Sequence, residues 1–179
     1  MSNLNTPEKM NYKAFPLTSR LHQSSYDAIS PSRAHVSQAG KTVMITGGSM
    51  GVGYAIAKAF AVADAHKIII VGREQTKLKT SITKLREELG KDGATTQLEG
   101  MVCQISEPDS VEQLWDLLRS DGVHIDVLVL NAVLGGSGSL QELGWANVWA
   151  QFEVNVRSLH QFSDRFSQQS APGGTTVIF

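Results

Sequence analysis

The chain's 179 residues carry a formal net charge of -1, with 41% hydrophobic and 18% charged residues. That length suits one domain with a real core, and the composition excludes wholesale disorder. A near-neutral chain with scattered Lys and Arg has no basic field to hold a nucleic acid or an anionic membrane surface. Its single cysteine, Cys103, can form neither an internal disulfide nor a zinc site. No stretch is long and apolar enough to span a bilayer, and no signal-like apolar run opens the chain. A soluble cytoplasmic protein is expected.

Residues 1–39 are polar, rich in serine, and contain Pro16 and Pro31. They read as an extended or loosely ordered tail, with Tyr26–Ile29 as its best apolar anchors. Regular alternation starts at residue 40, so 40–179 is the expected domain. Thr42–Thr46 is a strand, followed by a glycine-rich stretch and a helix striped by Val52, Ile56, Ala59 and Phe60. Ile68–Val71 is a second buried strand. Leu78, Ile82, Leu85 and Leu89 stripe a second helix, which Gly90 ends. A third strand covers 97–102. Ser106 is the expected N-cap of a third helix, with Pro108 in its first turn and Val111, Leu114, Trp115 and Leu118 on its apolar face. Ile125–Leu130 is a fourth strand. Trp149, Phe152, Val156, Leu159, Phe162 and Phe166 stripe one long helix, and Thr175–Phe179 begins a fifth strand. Strands alternating with helices predict an α/β protein with a parallel sheet covered on both faces.

The stretch Thr46-Gly47-Gly48-Ser49-Met50-Gly51-Val52-Gly53 joins the first strand to the first helix. Glycines here permit a tight turn, a close approach of backbone to pyrophosphate, and close helix–strand packing. The helix start then offers free N–H groups and a partial positive charge to phosphates. The strand–turn–helix setting makes this a dinucleotide site and the fold a three-layer doubly wound Rossmann fold. The second strand ends Val71-Gly72-Arg73, without the acidic residue that binds a ribose 2′-hydroxyl in NAD sites. Arg73 can pair with a 2′-phosphate, which selects NADP(H) over NAD(H). The alternative is a solvated arginine at a helix start, partly neutralised by Glu74.

With Thr46 before it, the Gly-x-x-x-Gly-x-Gly spacing of Gly47, Gly51 and Gly53 resembles that of the short-chain dehydrogenase/reductase family, classical type. The resemblance runs over residues 40–179. It implies that Ser49 and the backbone of Met50 and Val52 line the phosphates and adenosine ribose. It places Gln104 and Ile105 at the adenine, with Gln104 where the family has Asp. Asn131-Ala132 matches the second half of the family's Asn-Asn-Ala-Gly turn at the nicotinamide ribose. Leu130 and Val133 depart from that turn, and the plainer alternative for Asn131 is a turn former. Asn155, inside an apolar helix, would take the family's catalytic role of bending the helix and holding a water in the proton relay. A helix–helix hydrogen bond is its plainer use.

Family chemistry is hydride transfer between nicotinamide and an alcohol or ketone. It uses a Ser and a Tyr-x-x-x-Lys pair that follow the fifth strand. The pair Tyr54 and Lys58 stands on the first helix and is rejected as catalytic; Ser137 and Ser139 are loop serines without a base. The chain is therefore expected to be C-terminally incomplete, truncated at strand 5, with part of the long helix's apolar stripe exposed. The alternatives are a non-catalytic dinucleotide-binding protein and a protein-interaction module. Pairing of two copies through helix 145–169 is the expected oligomer contact.

Overall fold

Five strands pair in parallel in the order β3-β2-β1-β4-β5: β1 Thr42–Thr46, β2 Lys67–Gly72, β3 Gln97–Val102, β4 Val127–Val129 and β5 Thr176–Ile178. A computed structural model of the chain describes residue 22 and residues 26–90, 95–169 and 176–178. Most of the expected tail, and the two ends of the expected fifth strand, lie outside the described residues. The chain divides into two units, Met1–Ser30 and Pro31–Phe179. In the first, a 3₁₀ turn spans Asp27–Ile29, and the ring of Tyr26 stacks on His22 with centroids 4.1 Å apart. In the second, the backbone N–H of Gln38 donates to Ala63 O at 2.6 Å.

The helices of the second unit are α1 Gly51–Val62, α2 Gln75–Leu89, α3 Pro108–Ser120, α4 Leu140–Phe152 and α5 Ser158–Ser167. Successive residues of β1 point to opposite faces, as strand geometry requires. Met44 joins Ile69, Leu128, Trp115, Phe162 and Phe166 in the layer under α3 and α5. Val43 and Ile45 join Ile68, Ile70, Ala57, Leu78 and Leu85 in the layer under α1 and α2. This is the expected three-layer, doubly wound Rossmann arrangement. The chain steps outward from β1 to β2 and β3, then returns to place β4 on the other side of β1. The strand order reverses between β1 and β4, and in open α/β sheets the carboxyl ends of the strands at such a reversal are where ligands bind.

Three elements differ from expectation. The buried face of α1 is Gly53, Ala57 and Ala61, while Val52 is exposed and Ile56 and Phe60 pack only partly. Small residues let α1 lie close to the sheet, so the bulky stripe flanks the contact. The helix α3 takes Glu107, not Ser106, as its N-cap, with Pro108 at its first position. The expected helix 145–169 forms as α4, a π-helical segment Glu153–Arg157 and α5 in direct succession, so its regular α-helical turn is interrupted only around Asn155; Gly144, just before it, breaks the start of α4 with φ 71° and ψ 157°. Phe162 and Phe166 are buried, but Trp149, Phe152 and Val156 are exposed.

Cys103 is buried at the end of β3, and its thiol lies beside Ser110. Burial raises its pKa, and the Ser110 contact offsets only part of that rise. The neutral thiol is a poor nucleophile, so the folded chain is expected to resist iodoacetamide and to react readily in denaturant. Mass spectrometry of alkylated protein before and after unfolding checks this; fast labelling of the native chain would contradict the burial.

Candidate functional site

The carboxyl ends of β1 and β4 are joined around the hydroxyl of Thr46 at the end of β1. It accepts the backbone N–H groups of Asn131 and Ala132, each at 3.1 Å, just past β4. The Asn131 amide returns the tie, donating from Nδ2 to Thr46 O at 3.0 Å and to Gly47 O at 3.3 Å. Asn131 is thus more than a turn former: it fastens the end of β4 to the end of β1. Gly47 has φ +68°, and a Cβ there would lie 3.0 Å from the Cα of Ala132. At Gly53 a Cβ would lie 2.5 Å from both Asn131 Nδ2 and Gly47 O. These two glycines let loop, helix and β4 turn close together. In the sequence Thr46 shows only as a hydroxyl residue ending an apolar strand, a pattern that carries no sign of its role as an anchor.

The start of α1 has a different character. Gly51 has φ +58° and open space where a Cβ would stand. The N-cap Met50 provides no side-chain acceptor for the first-turn N–H groups. The side chains of Met50 and Val52 point outward, 69% and 71% exposed, and Ser49 is half-buried. Uncapped donors, a glycine-cleared approach and the helix dipole are the features that favour an anion at a helix start. β1 and β2 run in register, Thr46 opposite Val71, so Arg73 stands at the adjacent strand tip. Arg73 is exposed, and Glu74 pairs instead with Lys77 at 2.6 Å. Among the described residues no acid lies within ion-pair distance of Arg73.

At the tip of β3, Gln104 donates from Nε2 to Ser106 Oγ at 2.9 Å, and among the described residues its amide oxygen accepts no hydrogen bond. Its backbone N–H donates to Ser110 Oγ at 3.0 Å. Ile105 packs against the core under α3 and α5. Ser106 is therefore committed to Gln104, which is why it does not cap α3.

Asn155 lies in the π-helical segment. Its Oδ1 accepts from Leu134 N at 2.9 Å, and its Nδ2 donates to Leu134 O at 2.8 Å. The partner is the loop after β4, not a second helix. A π turn inserts one residue and redirects its side chains, and such bulges concentrate at functional sites. Val133 is 76% exposed. Ser139 caps α4 through a reciprocal capping box with Glu142, whose carboxyl the Ser139 backbone N–H holds below the usual range. Ser139→Ala is expected to cost about 1 kcal/mol, read as a lower midpoint in urea; an unchanged midpoint would deny the cap a role. Tyr54 and Lys58 serve α1–α2 packing. Lys58 bonds Glu88 at 2.8 Å, Lys84 lies over the Tyr54 ring, and burial and the charge of Glu88 raise the phenol pKa. A phenol that takes part in proton transfer needs the opposite shift.

Among the described residues no cluster of His, Cys, Asp or Glu is set to hold a metal, and no helix is long and apolar enough to cross a membrane. The family model of the short chain dehydrogenases matches residues 41–179. The short chain dehydrogenase/reductase AacuD of Aspergillus aculeatus is 48% identical over 162 residues, covering 90% of this chain and 54% of that protein. The short chain dehydrogenase pigC of Monascus ruber is 32% identical over 158 residues, covering 85% and 50%. Among solved structures, L-sorbose reductase from Gluconobacter frateurii complexed with NADPH and L-sorbose aligns with TM-score 0.63 and 27% identity, covering 73% of this chain and 47% of that one. A short chain dehydrogenase from Burkholderia cenocepacia in complex with NADP aligns with TM-score 0.65 and 29% identity, covering 79% and 55%. The chain spans about half the length of these relatives.

Proposed function

This chain belongs to the short-chain dehydrogenase family, and from that premise we propose that it binds NADP(H) as part of a reductase acting on an alcohol or ketone. The observation that carries the NADP(H) preference is Arg73, exposed and, among the described residues, without an acidic partner, at the strand tip beside the glycine-cleared start of α1. The N–H groups of Met50, Gly51 and Val52, with Ser49, hold the pyrophosphate and adjoining ribose. Gly47 and Gly53 keep that loop against β4. Arg73 takes the 2′-phosphate. Gln104 and Ile105 meet the adenine, and Asn131 and Ala132 stand by the nicotinamide ribose. Asn155 fixes the loop at Leu134 and places a water in the proton relay. The nicotinamide supplies or receives the hydride when bound.

Tyr54–Lys58 is the one Tyr-x-x-x-Lys in the sequence, and it stands on the wrong element. A second reading, association of two copies through 145–169, draws on the exposed, stacked rings of Trp145, Trp149 and Phe152, with centroids 5.7 and 6.0 Å apart.

Titration with NADPH and NADH, followed by tryptophan fluorescence, tests the main reading. NADPH is expected to bind roughly tenfold tighter or better, the worth of one charge-assisted bond. A folded chain that binds neither, or that prefers NADH, would reject it.

A further inference from the structure

We infer that Arg157 is a positioning residue for the adenine end of the nucleotide, acting through the carbonyl of Ser106. The inference rests on the NADP(H) reading above and assigns a residue which that reading leaves out. Arg157 closes the π-helical segment, two residues after Asn155. Residues two apart do not share a helix face, so the pair reaches in different directions. Asn155 holds Leu134 after β4, while the Arg157 guanidinium donates to Ser106 O after β3. One short segment thus fastens both loops at the carboxyl end of the sheet.

The bonds of Gln104–Ser106 are otherwise local. Gln104 N–H goes to Ser110 Oγ, Gln104 Nε2 to Ser106 Oγ, and Glu107 N–H to Gln104 O at 2.8 Å. Among the described residues, the bond from Arg157 is the one side-chain hydrogen bond tying this loop to a remote element. The Arg157 guanidinium is itself steadied by Glu153, 3.5 Å away one turn earlier. The consequence reaches Gln104. A fixed Ser106 keeps its hydroxyl against Gln104 Nε2, so the amide oxygen remains the open acceptor. Adenine presents a 6-amino donor, which that acceptor fits. Hypoxanthine presents a 6-oxo acceptor, which it repels. Release of Ser106 lets the amide turn, and ordering it again on binding costs about 0.5–1.5 kcal/mol, a factor of roughly two to ten.

Arg157 also begins a row with Gln161 and Arg165, all donating toward the α3 side. A purely structural role would make all members of that row alike. The test therefore compares the ratio of affinities for NADPH and its hypoxanthine analogue, measured by calorimetry on the full chain. The unsubstituted chain is expected to prefer adenine. Arg157→Ala is expected to lower that preference roughly two- to tenfold, Arg157→Lys to restore most of it, and Gln161→Ala to lower stability without moving the ratio. If Arg157→Ala does not fold, Arg157→Gln is read in the same way. An unchanged ratio in a folded Arg157 variant, or equal binding of both nucleotides by the unsubstituted chain, overturns the inference alone. No binding of either nucleotide by the folded, unsubstituted chain overturns the NADP(H) reading and this inference with it.

Discussion

Arg73→Asp is expected to reverse the cofactor preference, turning a chain that favours NADPH into one that favours NADH. The guanidinium at the tip of β2 has no acidic partner among the described residues, because Glu74 is taken by Lys77. Its full charge is therefore available to a 2′-phosphate. Removing a charge-assisted bond costs about 1.5–3 kcal/mol, and the new carboxylate adds repulsion, so NADPH affinity is expected to fall roughly a hundredfold. The same carboxylate accepts a bond from a free ribose 2′-hydroxyl, so NADH affinity holds or rises. The ratio of the two dissociation constants for the variant and the parent chain is the measurement. An unmoved ratio would return Arg73 to the status of a solvated arginine.

Gly53→Ala is expected to do more damage than any other single methyl in the glycine loop. The added carbon would lie 2.5 Å from Asn131 Nδ2 and from Gly47 O. The second of these is backbone, and the first is already bonded to Thr46 O and Gly47 O, so neither yields cheaply. Overpacking of this kind costs about 1–3 kcal/mol. For a domain of this size that lowers Tm by roughly 3–10 °C, and nucleotide binding is expected to be lost with the loop's shape. Gly51→Ala is the contrast. It meets only the strain of φ +58°, about 1 kcal/mol, because the space around it is open. Thermal melts of the two variants check the order; a milder effect at Gly53 would mean that α1 can move off β4.

The sheet, its parallel sense and the glycine loop were legible because each depends on local pattern. Buried runs such as Ile68–Val71 carry the strand signal in a few residues, and the loop's glycines fall between a strand and a helix where their physics is interpretable. The stripe carried no mark of the π turn, although the family resemblance placed a bend at Asn155. One inserted residue is about 100° of helical rotation, enough to turn the residues before it away from the face of those after it, while the spacing in sequence stays helical. The exposure of Trp149 and Phe152 depends on what packs there, which periodicity does not encode. Ser106 was misread for a related reason. Any serine just before a helical pattern reads as a cap, and only the spatial neighbour Gln104 shows that its hydroxyl is committed elsewhere. The ties from Thr46 to Asn131, from Asn155 to Leu134 and from Arg157 to Ser106 all join residues far apart in sequence. No local rule reaches them.

Amide chemical-shift mapping of the chain with NADPH locates the nucleotide directly. The largest shifts are expected at Gly47–Gly53 and Arg73, with smaller ones at Gln104, Ile105, Asn131 and Ala132, all at the carboxyl end of the sheet. Shifts confined to other residues, or none from a folded chain at saturating NADPH, would contradict that location.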